Sequence, residues 1–286
     1  MTRWLLPGFL AVGAVATLLL IVGPALYAVS LSFYDMPSLT TDPVWVGLGK
    51  YAQVLGDGQF WNALGNGFVY AGLCIVLQVV LGIGFALLLN QDFLGRSLLR
   101  GLAFLPYLLP TVVAVLVFKW MVDGSLGIVT ILMEDWGLPQ IRWFETETAS
   151  MLSVVLISVW LWTPFVTTTF LAGLQTVPRQ LYEAARVDGA GPVRQFLHVT
   201  LPSLRPILTV VILLRGVWMF NKFDVIWLTT GGGPLGATEH LPVLSYREAF
   251  ALYDIGTGAA VATLSFLVLM LAVTIYFRLF PMETSK

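Results

Sequence analysis

Residues 183–202 read Glu183-Ala184-Ala185-Arg186-Val187-Asp188-Gly189-Ala190-Gly191-Pro192-Val193-Arg194-Gln195-Phe196-Leu197-His198-Val199-Thr200-Leu201-Pro202, a polar, arginine-bearing insert between two long apolar segments. Just upstream, Thr176-Val177-Pro178 predicts a capping residue followed by proline in the first helical turn. A short helix over 179–187 is expected, stopped by Asp188-Gly189-Ala190-Gly191, because glycine suits the left-handed position past a helix end. Pro192 is expected to open a second short helix through Val199, and Pro202 to close the unit. Leu181, Tyr182 and Phe196 supply apolar anchors, Glu183 and Arg186 charged rim contacts. Ala184 and Ala185 are small enough for another backbone to approach. Such a loop folds and offers a docking surface; the competing reading is a solvated loop whose arginines only enforce topology.

The surrounding composition decides the solvent. Of 286 residues, 58% are hydrophobic and only 11% charged, with a mean hydropathy of +0.86. A soluble domain carries roughly a quarter charged residues. One globular core cannot hide this apolar surface, so an all-α integral membrane protein is expected. The net charge of −1 excludes a basic field for nucleic acid. The single cysteine, Cys74, lies in an apolar run and reads as a buried hydrophobe. His198 and His240 are too few and too far apart in sequence for a metal site.

Six segments can cross about 30 Å of hydrocarbon as helices: approximately 9–32, 67–89, 102–121, 151–174, 207–228 and 256–280. The first is too long for a signal-peptide core and reads as a retained helix. Arg3, Arg96, Arg100, Arg179, Arg186, Arg194, Arg205, Arg278 and Lys286 fall on one side of the six spans, against Lys50, Arg142 and Arg247 on the other. Lysine and arginine mark the cytoplasmic side, which places both termini in the cytoplasm. Pro24, Pro106, Pro110 and Pro164 are expected to bend their spans.

Ionisable residues inside a span cost roughly 2.5–3.5 kcal/mol each and are functional candidates. Arg215 and Lys222 stand seven residues apart on one face of the fifth expected span, with Trp218 and Met219 between them. A cation, an aromatic ring and a second cation can bind sugar hydroxyls, the ring stacking on a pyranose face. The alternative has Arg215 pairing with a carboxylate or carbonyl of a neighbouring helix and Lys222 snorkelling outward beside Asp224.

Several motifs carry a resemblance. Glu183-Ala184-Ala185, Asp188-Gly189-Ala190, Phe196 and Leu201-Pro202 are similar to the EAA loop of ABC importer permeases of the sugar type. Phe220-Asn221-Lys222-Phe223-Asp224, Leu228-Thr229-Thr230-Gly231-Gly232-Gly233-Pro234, Trp45-Val46-Gly47-Leu48-Gly49-Lys50-Tyr51 and Phe60-Trp61-Asn62-Ala63-Leu64-Gly65-Asn66 extend it over nearly the whole chain. The resemblance implies a six-helix type I importer permease in the bacterial or archaeal cytoplasmic membrane. Residues 1–66 would form the first helix and outer loop. Residues 67–286 would form a five-helix core with the coupling loop at 176–205.

It also implies that Glu183, Ala184, Ala185, Asp188 and Gly189 dock on a separate ATPase. The solute, a sugar or related polyol or glycoside, would be lined by positions around Leu161, Trp162 and Phe165 and by the fifth span. Partners would be a second permease, two ATPase domains that bind ATP and magnesium, an extracytoplasmic solute-binding protein, and lipid.

No stretch matches Gly-x-x-x-x-Gly-Lys-Ser/Thr, and Gly231-Gly232-Gly233-Pro234 reads as a turn. No nucleophile, base and orienting group converge, so the chain is expected to be neither ATPase nor other enzyme and to hold no cofactor. A self-powered secondary transporter is the competing class, but it usually shows internal repeats and mid-membrane coupling carboxylates.

Overall fold

A computed structural model describes residues 11, 13, 15–37 and 41–280. The expected start of the first span at residue 9, together with Arg3 and Lys286, lies outside them. Apart from one two-residue ladder the described fold is helical. In chain order come α1 (Val15–Leu31), β1 (Tyr34–Asp35), β2 (Val44–Trp45), α2 (Gly49–Gly56), α3 (Gly58–Leu89), α4 (Arg96–Leu108) and α5 (Thr111–Met121). They are followed by α6 (Ile128–Asp135), α7 (Glu147–Thr176), α8 (Arg179–Val187), α9 (Pro192–Phe220), α10 (Phe223–Thr230), α11 (Leu241–Tyr246) and α12 (Ile255–Leu279).

Four of these, α3, α7, α9 and α12, are long and apolar enough to cross a membrane. The pair α4 and α5 passes the same test together, but is bent by 95° between the two helices. The cause is local. Leu109 precedes Pro110 and is extended (ψ 136°), as the clash with a following proline ring favours. The expected single helix over 102–121 is therefore two helices with a sharp bend between them. Pro164, by contrast, is carried inside α7.

The fifth span also departs from expectation. Rather than occupying 207–228, its helix starts at Pro192 and ends at Phe220. Asn221 turns its amide back to the Val217 carbonyl at 3.0 Å, a side-chain bond that competes with the helical ladder. Lys222 then leaves the helical region (ψ 89°) before α10 begins. At the other end, the separate helix expected to close at Pro202 is not formed. A π-turn at Phe196–Thr200 precedes Pro202, with the Leu201 N–H reaching the Phe196 carbonyl. The wider turn accommodates a residue that lacks an N–H, so the helix runs on.

By contacts the chain divides into two units. In the first (residues 1–64 and 241–268), Tyr34 pairs with Trp45 and Asp35 with Val44, and Phe33 stacks on Trp45 at 5.6 Å. Lys50 is buried and bonds Asp35 at 2.7 Å and Asp254 at 2.9 Å. Asp254 in turn caps α12, accepting the Thr257 N–H at 2.9 Å.

The second unit (residues 65–240 and 269–286) has its core on α3, α7 and α9, where Ala86, Val166, Phe170, Leu174, Leu204 and Val211 pack together. The most buried of the long helices is α7. Close approach is secured by Gly82 on α3, where an added Cβ would lie 2.6 Å from Val166.

Candidate functional site

A cavity of about 400 Å³ opens in the second unit, lined by Tyr107 of α4, Trp162 of α7, Arg215, Val217, Trp218 and Met219 of α9, and Asn221 and Lys222 at the break. The break at Lys222 and the bend after α4 place these side chains together. Arg215 is fully buried. Its Nε donates to Gln78 Oε1 at 2.7 Å, its Nη2 lies 3.4 Å from Met219 Sδ, and its Nη1 has no partner among the described residues. The guanidinium carbon sits 5.4 Å from the Trp162 ring and 5.6 Å from that of Trp218. Trp162 Nε1 is likewise buried, with no partner among the described residues.

Lys222 Nζ lies 4.4 Å over the Trp162 ring and 3.0 Å from Asp224. Phe165 stands behind the cavity, stacked on Tyr107 at 6.2 Å and tilted against Trp218 at 5.5 Å.

Of the expected pathway residues, Trp162, Arg215, Trp218, Met219 and Lys222 line this cavity, and Phe165 supports two of its aromatic walls. Leu161 is buried and is not among the lining residues. Arg215 takes neither of the partners expected for a packing role, a carboxylate or a backbone carbonyl. Its acceptor is the neutral amide of Gln78. The sequence does not single out Gln78, Tyr107 or Val217, and Asn221 enters it only within the Phe220–Asp224 motif. A lone glutamine in the apolar run 67–89 was a usable signal for the first, and proximity to Pro106 and Pro110 for the second.

The second candidate surface is α8. It spans Arg179–Val187, as the start and stop signals require. Its end is a Schellman motif, with Ala190 N–H reaching the Ala185 carbonyl at 2.8 Å and Gly189 N–H the Arg186 carbonyl at 3.0 Å. Gly189 holds φ +75° there. The N-cap differs from expectation: Pro178 occupies it without a side-chain bond, while Thr176 stays in α7 and bonds back to Gly173. Tyr182 fastens α8 to α9 through a 3.0 Å contact with the Thr200 hydroxyl. Glu183, Ala184, Asp188 and Gly189 are exposed and Ala185 partly so. Beside them Val187 and Val193 are 88% and 72% exposed. Exposed valines among charged side chains can seat against another protein.

Residues 78–283 match the family described as "Binding-protein-dependent transport system inner membrane component". Over 272 residues the chain is 34% identical to the trehalose/maltose transport system permease protein MalF of Thermococcus litoralis, covering 94% of this chain and 92% of that one. It is 32% identical over 286 residues to the sulfoquinovosyl glycerol transport system permease protein SmoG of Agrobacterium fabrum, covering 97% and 93%. The structure of a bacterial ABC transporter involved in importing the acidic polysaccharide alginate superimposes with a TM-score of 0.86 across 99% of this chain and 96% of that one. At 20% identity this last likeness is one of fold. The chain therefore belongs to the binding-protein-dependent inner membrane components: it has the ABC importer permease fold and is a permease subunit of such an importer, in a family of transport proteins rather than enzymes.

Proposed function

We propose that the chain forms half of a translocation pathway for a sugar or a related polyol or glycoside, with a second permease supplying the other half. The observation that carries this reading is the 400 Å³ cavity, where two indole rings flank a guanidinium and two buried donors, Arg215 Nη1 and Trp162 Nε1, lack partners. Aromatic faces and oxygen-seeking donors are the chemistry a pyranose needs, its C–H face stacking while its hydroxyls accept and donate. The permeases named for trehalose/maltose and for sulfoquinovosyl glycerol support the solute class.

In this reading the bent pair α4 and α5 is one span, and α1, α3, α7, α9 and α12 complete six, with both termini cytoplasmic. Residues 1–66 form the first helix and outer loop, and residues 67–286 the core. The α8 element, with Glu183, Ala184, Ala185, Asp188 and Gly189, seats in a separate ATPase subunit that binds ATP and magnesium. The exposed Val187 and Val193 and the fixed Schellman end of α8 support that role. An extracytoplasmic binding protein delivers the solute.

Calorimetric titration of the cognate binding protein against a panel of neutral and acidic glycosides, polyols and amino acids tests the solute class. Micromolar binding of a glycoside or polyol is expected. Selective binding of an amino acid, with no affinity for any carbohydrate, would sink the reading.

A further inference from the structure

Gln78 is fully buried in the middle of α3. Both ends of its amide are engaged: Nε2 donates to the Ser158 carbonyl at 3.2 Å, and Oε1 accepts from Arg215 Nε at 2.7 Å. An amide has one donor end and one acceptor end, so turning it over would break both contacts. Ser158 is itself held by the Tyr70 hydroxyl at 2.6 Å. With Nε on Gln78 and Nη2 against Met219 Sδ, two of the three guanidinium nitrogens are engaged, and only Nη1 remains. Gln78 carries no charge, and among the described residues no ion pair engages Arg215. A fixed cation with one unpartnered nitrogen, Nη1 and its two N–H groups, thus stands at the cavity wall.

We propose that Gln78 is the positioning residue of this cavity: its amide aims Arg215 so that Nη1 meets an oxygen of the solute, while leaving the guanidinium charge uncompensated. The inference rests on the cavity being the solute site. A buried donor next to a charge forms its bond with any accepting oxygen, hydroxyl or carboxylate and sulfonate alike. A carboxylate at position 78 would still accept from Arg215 Nε but would lose the donor to the Ser158 carbonyl, and would neutralise the guanidinium. That difference separates the two kinds of oxygen.

The test uses the assembled transporter with its binding protein, carrying Gln78→Leu or Gln78→Glu, and trehalose and sulfoquinovosyl glycerol as neutral and anionic probes. The structure of the assembled Gln78→Leu variant should show the guanidinium turned away from its wild-type position. KM for a transported probe should rise about tenfold or more, the loss expected for one hydrogen bond to a charged group. The maximal rate per complex should change much less. Gln78→Glu, which keeps the acceptor for Nε, should bring KM for trehalose closer to wild type than Gln78→Leu does, and should not do so for sulfoquinovosyl glycerol.

An unmoved guanidinium in Gln78→Leu overturns the proposal. Unchanged KM in that variant, alongside lost uptake in Trp218→Ala, overturns it too but leaves the cavity as the solute site. Should Gln78→Leu fail to assemble, Gln78→Glu decides, because wild-type KM for an anionic probe would contradict the uncompensated charge. Wild-type KM in both Gln78→Leu and Trp218→Ala removes the cavity itself.

Discussion

Lys222 holds its ammonium 4.4 Å over the ring of Trp162, from a position just past the end of α9. On a continuous helix the residue would follow Arg215 and Trp218 up one face. The break at Asn221 instead lets it reach back across to α7, so one indole ring faces two cations, Arg215 at 5.4 Å and Lys222 at 4.4 Å. Each such contact contributes about 0.5–2 kcal/mol depending on desolvation. The repulsion between two cations is offset on one side only, by Asp224 at 3.0 Å from Lys222. The wall thus carries one cation without an ion pair, Arg215, and is partly aromatic, a surface suited to a solute rich in oxygen.

Trp218 is 42% exposed and borders the cavity. Trp218→Ala leaves no sealed void, so the yield of assembled complex should stay near wild type while uptake per complex falls severalfold or more. A packing aromatic would behave oppositely, costing about 3–5 kcal/mol on truncation and lowering the yield. Uptake normalised to assembled complex, measured beside yield, separates the two outcomes.

Ala185 is partly exposed on α8, with Tyr182 tied to Thr200 at 3.0 Å. Ala185→Trp adds a bulky ring where a partner backbone is expected to approach. Membrane insertion should be unaffected, and solute-stimulated ATP hydrolysis by the complex should fall to near its basal rate. A variant that assembles and hydrolyses at the wild-type stimulated rate would remove α8 from the coupling path.

The clasp in the first unit sets a pH window. Burial pushes the Asp254 carboxyl up, but the Thr257 N–H and Lys50 outweigh it and leave it below the usual carboxylate range. A group depressed in the folded state contributes stability above its unfolded value, about 4, and loses it as pH falls through the lower folded value. Burial lowers the Lys50 ammonium, yet Asp35 and Asp254 leave it raised. Its contribution is complete below about 10.4 and fades at higher pH. Thermal unfolding of the complex should therefore show an acid limb that Asp254→Asn flattens. An identical acid limb in the variant would contradict this account of the clasp.

Legibility in sequence followed how local the determinants were. The α8 helix was readable to its ends, because Pro178 and Gly189 act within one turn. The long apolar helices were readable from hydropathy, and the turn at Gly231 follows from its +62° φ at the end of α10. The 95° bend was signalled by Pro110 as a kink, but its size depends on how α5 packs. The end of α9 hinged on the Asn221 side chain choosing the Val217 carbonyl, which hydropathy averages hide. Candidate cations and aromatics were found because charge and ring are costly or conspicuous in lipid. Gln78 was missed because it is neutral, and its role exists only once α3, α7 and α9 are side by side.

The central claim is that this chain is half of a pathway and moves solute only with partners. The most direct measurement places the purified chain in liposomes, alone and then with a second permease, ATPase subunits, the loaded binding protein and enclosed ATP, and follows entry of the solute that the binding protein carries. No entry is expected with the chain alone, and ATP-dependent entry with the full assembly. Concentrative uptake by the chain alone, driven by an ion gradient, would contradict the account.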